Sequence, residues 1–213
     1  MLVSVRAACY THRMKTNYQL LTDKCIDSLS GRPRLLLHAC CGPCASYVLE
    51  YLAPHFDLTV FYYNPNIRPK EEYEKRLYWL RRVIEGLGLA GSVPLLAEPW
   101  RAEDFALASR GLEQEPEGGA RCAVCIPLRM EETARRAAAE GYDYFCTTLS
   151  VSPHKNADLI NRTGALLEEK YGARWLPSDF KKRDGFLRTT QICAQLGIYR
   201  QAYCGCTPPE TVV

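Results

Sequence analysis

The sequence predicts an α/β fold in which a parallel β-sheet carries helices on both faces. Short apolar runs that fit buried strands alternate with segments of helical periodicity, and this pattern occurs four times along the chain. Glycine and proline residues separate the segments and mark where each one turns. With 213 residues, 47% of them hydrophobic, the chain can bury an ordinary core without disulfide bonds.

The first two strand–helix pairs lie in the N-terminal half. Leu35–Ala39 is a compact apolar run, which is typical of a buried parallel strand, and Cys40–Cys44 turns out of it. Pro43 suits the first turn of a helix. Leu58–Tyr63 predicts the second strand, and apolar residues at helical spacing predict a helix from about residue 71 to residue 86.

The next two pairs follow a loop. Val93–Ala97 predicts a third strand, and the acidic, glycine-rich stretch 110–119 predicts the loop. A helix is expected over Pro127–Gly141, because proline favours the first helical position and glycine the end. Tyr144–Leu149 predicts the fourth strand, and Ser152–Pro153 is expected to begin the next helix as N-cap and first residue.

Residues 1–31 are interpreted as an N-terminal extension with a short helix, and residues 32–213 as one catalytic domain. In parallel α/β sheets, ligands bind beyond the carboxyl ends of the strands. Three loops should meet there, namely 40–44, 64–66 and 150–156. We expect the cysteine-bearing C-terminal segment to fold back onto the same edge.

Eleven cysteines are the most informative feature of the composition. We find no secretion signal and no apolar stretch of membrane-spanning length, so we expect a cytoplasmic protein without a membrane partner. In that setting, clustered cysteines favour metal or redox chemistry over a disulfide scaffold.

Seven of the cysteines fall into three groups, and each group has more than one interpretation. Adjacent Cys40 and Cys41 can reach one site only where the strand breaks into a turn. The Cys-x-x-Cys pair ahead of the third predicted helix fits a zinc ribbon, an iron–sulfur site or a dithiol, and the Cys-Gly-Cys pair near the C-terminus fits a strained disulfide or two metal ligands. The seven are too many for one structural zinc: Cys40, Cys41, Cys44, Cys122, Cys125, Cys204 and Cys206.

Positive charge is concentrated near the C-terminus. Residues 173–203 hold six basic side chains against two acidic ones, although the formal net charge of the whole chain is only +3. This pattern suits a polyanionic partner, and an ordinary solvated face is the alternative. Lys155 beside a helix N-terminus would make a further anion site.

Six motifs together resemble those of the QueH-type epoxyqueuosine reductases, in order from about Arg34 to Thr207. They are His38-Ala-Cys-Cys-Gly-Pro-Cys44, Tyr63-Asn-Pro-Asn-Ile67, Arg121-Cys-x-x-Cys125, Thr147-Thr-Leu-x-x-Ser-Pro-x-Lys155, Asp179-Phe-Lys-Lys182 and Tyr199-Arg-Gln-x-Tyr-Cys-Gly-Cys206. The resemblance implies a fold of the HUP kind, related to the PP-loop ATP pyrophosphatases. It also implies a [4Fe-4S] cluster and reduction of epoxyqueuosine to queuosine at the wobble position of tRNA, with an unidentified electron donor.

The same resemblance implies roles for individual residues. The cluster ligands would be Cys40, Cys41, Cys122 and Cys125. Cys204 and Cys206 would form a redox-active disulfide pair, or would hold a second, mononuclear iron with Cys44. Candidates for the proton donor are His38, Asp179 and Tyr203, and the predicted substrate contacts are Asn64, Asn66, Ser152, Lys155, Lys181, Lys182, Arg183 and Tyr203.

Two alternative functions remain at this point. An iron–sulfur tRNA thiolase on the same fold would need the Ser-Gly-Gly-x-Asp-Ser loop with which PP-loop enzymes hold ATP. Here Cys40–Ser46 occupies that place, which argues against ATP use. A zinc-stapled RNA-binding module would also explain the cysteines, and a colourless, redox-inert metal would identify it.

Overall fold

The computed structural model describes residues 16–206, and a five-stranded, wholly parallel sheet forms its centre. The strands are β1 (Arg34–His38), β2 (Asp57–Tyr62), β3 (Leu95–Ala97), β4 (Tyr144–Thr147) and β5 (Arg174–Trp175). Their order in the sheet is β3-β2-β1-β4-β5. The predicted parallel α/β fold is therefore confirmed, with one more strand than the four predicted.

Seven helices surround the sheet: α1 (Tyr18–Asp27), α2 (Gly42–Leu52), α3 (Lys70–Gly86), α4 (Ala102–Ala108), α5 (Ala120–Ala139), α6 (Ala157–Tyr171) and α7 (Gly185–Gln195). The chain adds strands first on one side of β1 and then on the other, so right-handed crossovers place α2 and α3 on one face and α5 and α6 on the opposite face. None of the helices described has both the length and the apolar character needed to cross a bilayer.

The strand order reverses between β1 and β4, which pair directly, with His38 opposite Thr147. Three leucines, Leu35–Leu37, make β1 a fully buried central strand. The chain leaves β1 and β4 in different directions, and this divergence opens a crevice at their carboxyl ends. The predicted ligand edge of the sheet is therefore centred on these two strands.

Helix α2 begins directly at the end of β1 because three residues there suit a helix start. Cys41 has an extended backbone and caps the helix, since its Sγ accepts a hydrogen bond from the Cys44 amide at 3.5 Å. Gly42 is needed for close packing, because an added Cβ would lie 2.7 Å from the Trp79 carbonyl oxygen on α3. Pro43 stands in the first turn, where a missing N–H costs nothing.

The prediction that Pro127 opens a helix is wrong. Helix α5 begins at Ala120, and Pro127 lies inside it. Its first two turns bury one face that includes Cys122, Cys125 and Ile126, and this burial offsets the hydrogen bond that proline removes. The Cys-x-x-Cys pair consequently lies within the helix and not ahead of it.

The predicted helix start at Ser152–Pro153 is also wrong. A short 3-10 turn, Thr148–Val151, follows β4, and α6 begins only at Ala157. Asn156 is the true N-cap, since its side-chain oxygen accepts from the Leu159 amide at 3.0 Å. Lys155 therefore lies in a loop, directly before the N-cap residue of α6.

Both ends of the described chain pack onto the sheet domain. The Thr22 hydroxyl on α1 donates to the Pro177 carbonyl at 2.6 Å, so part of the predicted extension belongs to the packed structure. At the other end, the Arg68 amide donates to the Gly205 carbonyl at 2.9 Å, and Arg76 donates to the Cys204 carbonyl at 2.9 Å. The predicted fold-back of the cysteine-bearing tail is confirmed. Residues 1–15 of the predicted extension, and residues 207–213, lie outside the described part.

Candidate functional site

Cysteines from distant parts of the chain meet at one cavity beyond the carboxyl ends of β1 and β4. The cavity has a volume of about 410 Å³, and Cys40, Cys44 and Cys204 line it. Cys125 and Cys206 form a small buried cluster with Phe105, against which Cys204 packs. The edge predicted to bind ligand thus brings together thiols from the start of α2, from α5 and from the C-terminal tail.

The first thiol group consists of Cys40, Cys41 and Cys44, whose sulfur atoms all lie within 4.8 Å of one another. Hydrogen bonds from Cys41 and Cys44 are the largest causes that hold the pKa of Cys40 well below its usual range. The same bond, which the Cys41 thiol donates to Cys40, correspondingly raises the pKa of Cys41 to about 12. Because Cys40 is the thiolate of the three, this group can hold a metal ion.

Two side chains from other segments complete the surroundings of this first group. Gln201 Nε2 lies 3.0 Å from Cys41 Sγ, and the Thr148 hydroxyl lies 3.7 Å from Cys40 Sγ. The tail and the turn after β4 therefore both contact the sulfur atoms at the start of α2.

The second thiol group is Cys204 and Cys206, which are free thiols in this structure. The pKa of Cys204 is lowered to about 5, first by a hydrogen bond from Cys206 and then by the positive charges of Lys155 and Arg129, against the effect of burial. The pKa of Cys206 is raised by the same hydrogen bond. The pair therefore holds one thiolate and one thiol at neutral pH, which suits dithiol redox chemistry.

Lys155 is the cation nearest to this pair. Its Nζ lies 3.5 Å from Cys204 Sγ and 2.6 Å from a Glu117 carboxylate oxygen. Burial alone would lower the pKa of Lys155, but Cys204 and Glu117 raise it above its usual value, so the ammonium stays charged. The sequence predicted an anion-binding role for this residue, and the anion that it meets is a thiolate of the protein itself.

Cys122 and Cys125 lie one turn apart on the buried face of α5. The Gly118 amide donates to Cys122 Sγ at 3.2 Å. Burial is the largest cause that raises the pKa of Cys125, and Arg129 partly offsets it. Both side chains are less than 9% exposed.

Arg129 is a site residue that the sequence interpretation missed. Its side chain is 3% exposed, and it donates to the Cys125 carbonyl at 3.1 Å and to Asn64 Oδ1 at 3.5 Å. Within residues 16–206 it has no salt bridge to a carboxylate. A buried cation needs a counter-charge, and here the thiolates supply it. Helical spacing after Cys122 and Cys125 would have revealed Arg129, had α5 been predicted to begin at its true start.

Four of the predicted substrate contacts line the cavity: Asn66, Ser152, Lys155 and Tyr203. Asn66 is 1% exposed, and its side-chain oxygen has no hydrogen-bond partner among the described residues. Tyr203 is held from behind by Arg76, which donates to its carbonyl at 3.1 Å and lies 5.1 Å from the centre of its ring. These four side chains form part of the cavity wall.

Two predicted site residues lie beneath the cavity instead. Asn64 is fully buried, with its Nδ2 bonded to the Ala39 carbonyl. His38 is also fully buried, with Nδ1 2.8 Å from the Thr147 hydroxyl and Nε2 3.2 Å from the Tyr63 carbonyl. Burial, followed by the charge of Arg129, lowers the pKa of His38 to about 4, so the ring is neutral at pH 7. This geometry does not support His38 as the proton donor, and both residues act as supports.

The remaining predicted contacts lie around a neighbouring cavity of about 620 Å³, which shares Lys155 and His154 with the first. Asp179, Lys181 and Lys182 line it, and Asp179 forms an ion pair with Lys181 instead of facing the cysteines. Arg183 is paired with Asp23 of α1 at 2.5 Å. The sequence analysis predicted that this positive charge binds a polyanionic partner. Ion pairs within the protein neutralise part of it.

Comparison with known proteins gives one consistent result. The family model described as "Epoxyqueuosine reductase QueH" matches residues 35–210. The protein of that name from Streptococcus pyogenes serotype M1 is 41% identical over 90% of this chain and 77% of its own length, and that from Staphylococcus epidermidis is 39% identical over 90% and 84%. A third, from Thermotoga maritima, is 34% identical over 81% and 88%. The residues that the family model matches include the three cysteine-bearing segments, and the chain belongs to the epoxyqueuosine reductase QueH family.

Proposed function

We propose that this protein reduces the epoxide of epoxyqueuosine in tRNA to give queuosine. Its membership of the QueH family supports the reaction, and relatives across several bacterial species carry the same name. The observation that carries the proposal is that Cys40, Cys44 and Cys204 line one cavity at the point where the strand order reverses, while Cys204 also packs against the buried cluster of Cys125 and Cys206. Since the substrate is a tRNA, the reaction would take place in the cytoplasm.

The residues fit an iron–sulfur cluster in number, charge and burial. The predicted ligands, Cys40, Cys41, Cys122 and Cys125, are each buried or half-buried, and Arg129 offers a buried positive charge beside them. A [4Fe-4S] cluster held by four thiolates is an anion, so a neighbouring guanidinium would stabilise it. When bound, such a cluster supplies electrons one at a time from an external donor.

The electrons and protons that the reaction needs can be counted. An epoxide that becomes an alkene loses its oxygen as water, which takes two electrons and two protons. Oxidation of the Cys204 thiolate and the Cys206 thiol to a disulfide would supply both electrons and one of the protons. The second proton would come from another acidic group at the cavity or from water.

The position of Cys44 bears on the competing interpretation, a second iron held by Cys44, Cys204 and Cys206. Cys44 Sγ lies within 4.8 Å of Cys40 and Cys41, whereas Cys204 lies against Cys206 and Lys155. This grouping favours the dithiol over the second iron. Lys155 and Tyr203, which both line the cavity, are better placed than His38 to give a proton to the departing oxygen.

Serine variants test the dithiol directly. We expect C204S and C206S each to lower single-turnover reduction of epoxyqueuosine-tRNA by at least ~100-fold, the scale for loss of a redox or acid–base participant. The double variant should be little worse, because the two groups act as a unit. C25S is the control, since Cys25 lies on α1 and contacts Tyr144. Near-normal turnover in the double variant would contradict the dithiol role.

Metal analysis of protein purified without oxygen separates the three candidate functions. About four irons and four sulfides per chain, lost in C122S and kept in C25S, would support the cluster. Stoichiometric zinc without acid-labile sulfide would favour an RNA-binding module. A thiolase would consume ATP and transfer sulfur to tRNA, and mass spectrometry of the digested tRNA would detect the added sulfur.

A further inference from the structure

An exposed aromatic side chain stands at the mouth of the cavity. Phe186, the second residue of α7, is 41% exposed and lines the same cavity as Cys40 and Cys204. Its neighbour Leu187 is 53% exposed but does not line the cavity. Large apolar side chains left in water beside a binding site commonly mark a contact surface.

The start of α7, which carries Phe186, is closely packed. An added Cβ at Gly185 would lie 1.9 Å from the Phe180 carbonyl oxygen and 2.5 Å from the Tyr47 ring, so α7 starts in direct contact with both residues. The Thr190 hydroxyl also donates to the Phe186 carbonyl at 3.2 Å. A ring on such a fixed helix start loses little further freedom when a ligand packs on it.

Two polar side chains, Arg200 and Thr189, line the cavity together with the Phe186 ring. The Arg200 guanidinium lies 6.0 Å from the centre of the Phe186 ring, and Arg200 also lines the cavity. Thr189, one helical turn after Phe186, lines the cavity too, and its buried hydroxyl has no hydrogen-bond partner among the described residues. An aromatic face, a guanidinium and a free hydroxyl match a nucleobase attached to a phosphate backbone better than they match an apolar protein surface.

We propose that Phe186 and Arg200 form a stacking platform for the ring system of the modified wobble base, whose epoxide-bearing arm then enters the cavity. This inference rests on the proposed function, because it needs a tRNA substrate. Base-modifying enzymes act on bases that are splayed out of the stack, and aromatic or guanidinium faces commonly receive them. Thr189 would meet a polar group of the same base.

The test uses the full-length protein and a tRNA anticodon stem-loop with 2-aminopurine at the wobble position. Stacking quenches this fluorophore, so wild-type protein should quench it, and F186A should abolish most of the quenching. We also expect F186A to weaken binding about 10-fold, which corresponds to about 1.4 kcal/mol. F186Y should bind within about 2-fold of wild type, because tyrosine keeps a stacking face.

Two variants control for folding and for general loss of apolar surface. L187A removes an adjacent exposed side chain outside the cavity and should leave quenching and affinity unchanged. F186L keeps apolar volume without the ring and should behave like F186A, with a thermal midpoint near wild type. If F186L binds and quenches like wild type, the platform is wrong.

The remaining outcomes are distinct. If F186A and L187A both lower turnover while tRNA affinity and quenching stay normal, the patch docks a protein electron donor and the platform is overturned. If wild-type protein reduces epoxyqueuosine-tRNA but F186A quenches and binds equally well, the platform fails and the proposed function stands. If wild-type protein neither binds nor reduces the tRNA, both proposals fail.

Discussion

The lowered pKa of Cys204 predicts unusual reactivity toward alkylating reagents at mildly acidic pH. With a pKa of about 5, this thiol is mostly thiolate at pH 6 and becomes protonated only as pH falls through 5. In metal-free protein, iodoacetamide should therefore label Cys204 at pH 6 nearly as fast as at pH 8, as mass spectrometry of the peptides would show. An ordinary thiol would slow by roughly 100-fold over this range.

Two substitutions separate the causes of this pKa. C206A removes the largest, the hydrogen bond, and K155M removes a positive charge, so both should raise the pKa and slow labelling at pH 6. K170M is the matched control, because it also breaks a lysine–glutamate pair, with Glu131, but far from the thiols. Equal labelling in K155M and K170M would show that Lys155 does not act on Cys204.

The position of Arg129 predicts a measurable effect on the reduction of the proposed iron–sulfur cluster. Replacing this buried cation with methionine removes positive charge beside anionic thiolates, so the reduced cluster, which carries more negative charge, should become harder to form. We expect the reduction equilibrium of R129M to shift about 10-fold toward the oxidised form, about 59 mV for one electron. R129K should shift it less.

R136M is the control for R129M because Arg136 lies two turns farther along α5 and pairs with Glu98 and Glu140. A potential in R129M that matches R136M would contradict a charge effect of Arg129 on the cluster. Loss of iron from R129M alone would still identify Arg129 as a residue that stabilises the site.

The C-terminal tail shows how an element can depend on a single glycine. Gly205 has φ of +99°, and an added Cβ would lie 3.0 Å from Arg76 Nη1 and 3.2 Å from Ile67. G205A should therefore displace Cys204 and Cys206 and lower single-turnover reduction by about 100-fold, the scale for misplaced reacting groups. The thermal midpoint should change little, because the tail follows the last helix.

The control variant G197A separates two effects of G205A, namely crowding by the added Cβ and strain in the backbone. Gly197 also has positive φ, +63°, but nothing lies within 4 Å of its added Cβ. Each substitution places alanine in a left-handed conformation at a cost of about 1–2 kcal/mol. If G197A reduces turnover as much as G205A, strain alone explains the loss and the tail contact does not.

Among the secondary-structure elements, the sequence predicted those whose position depends on hydrophobic periodicity and on turn residues. The strands were placed within one or two residues for β1, β2 and β3, and the cysteine turn after β1 was expected where it lies. The starts of α5 and α6 were wrong because tertiary burial overrode the local proline signals at Pro127 and Pro153. Helices α4 and α7 and the strand β5 were missed, and β5 is too short, at two residues, to show a local pattern.

The candidate site was predictable in its thiols and less so in its supports. Cysteine is a rare residue in most proteins, so closely spaced cysteines mark candidate site residues in a sequence. The structure brings the segments that carry them together. Arg129, Thr189 and Phe186 are common residue types in helices, so only their positions in three dimensions single them out. His38 was a candidate proton donor in the sequence, yet it is fully buried, where it contacts the Thr147 hydroxyl and the Tyr63 carbonyl.

For the whole molecule, the distribution of charge predicts how tRNA binding responds to salt. Lys181 and Arg183 are ion-paired with Asp179 and Asp23, whereas Lys182 is exposed beside the second cavity. We expect K182A to lower the slope of log affinity against log salt by about 0.7–0.9, the value for one phosphate contact. K170A should leave the slope unchanged, and fluorescence anisotropy from 50 to 300 mM salt measures both.

An unchanged slope in K182A, with K181A or R183A lowering it, would show that tRNA displaces the internal ion pairs. Lys182 would then have no direct role, and the salt dependence would report the opening of the Asp179 and Asp23 pairs.

The thiols of the site span the chain from residue 40 to residue 206. The C-terminal tail forms part of the cavity wall, and hydrogen bonds from Arg68 and Arg76 to its carbonyl groups hold it there. During synthesis, the sheet and most helices can fold while the last thiols are still inside the ribosome. Cys40, Cys41, Cys44, Cys122 and Cys125 thus emerge and fold before Cys204 and Cys206. The cavity would be open during that interval, and the proposed cluster would enter it before the segment that carries Cys204 and Cys206 covers the site.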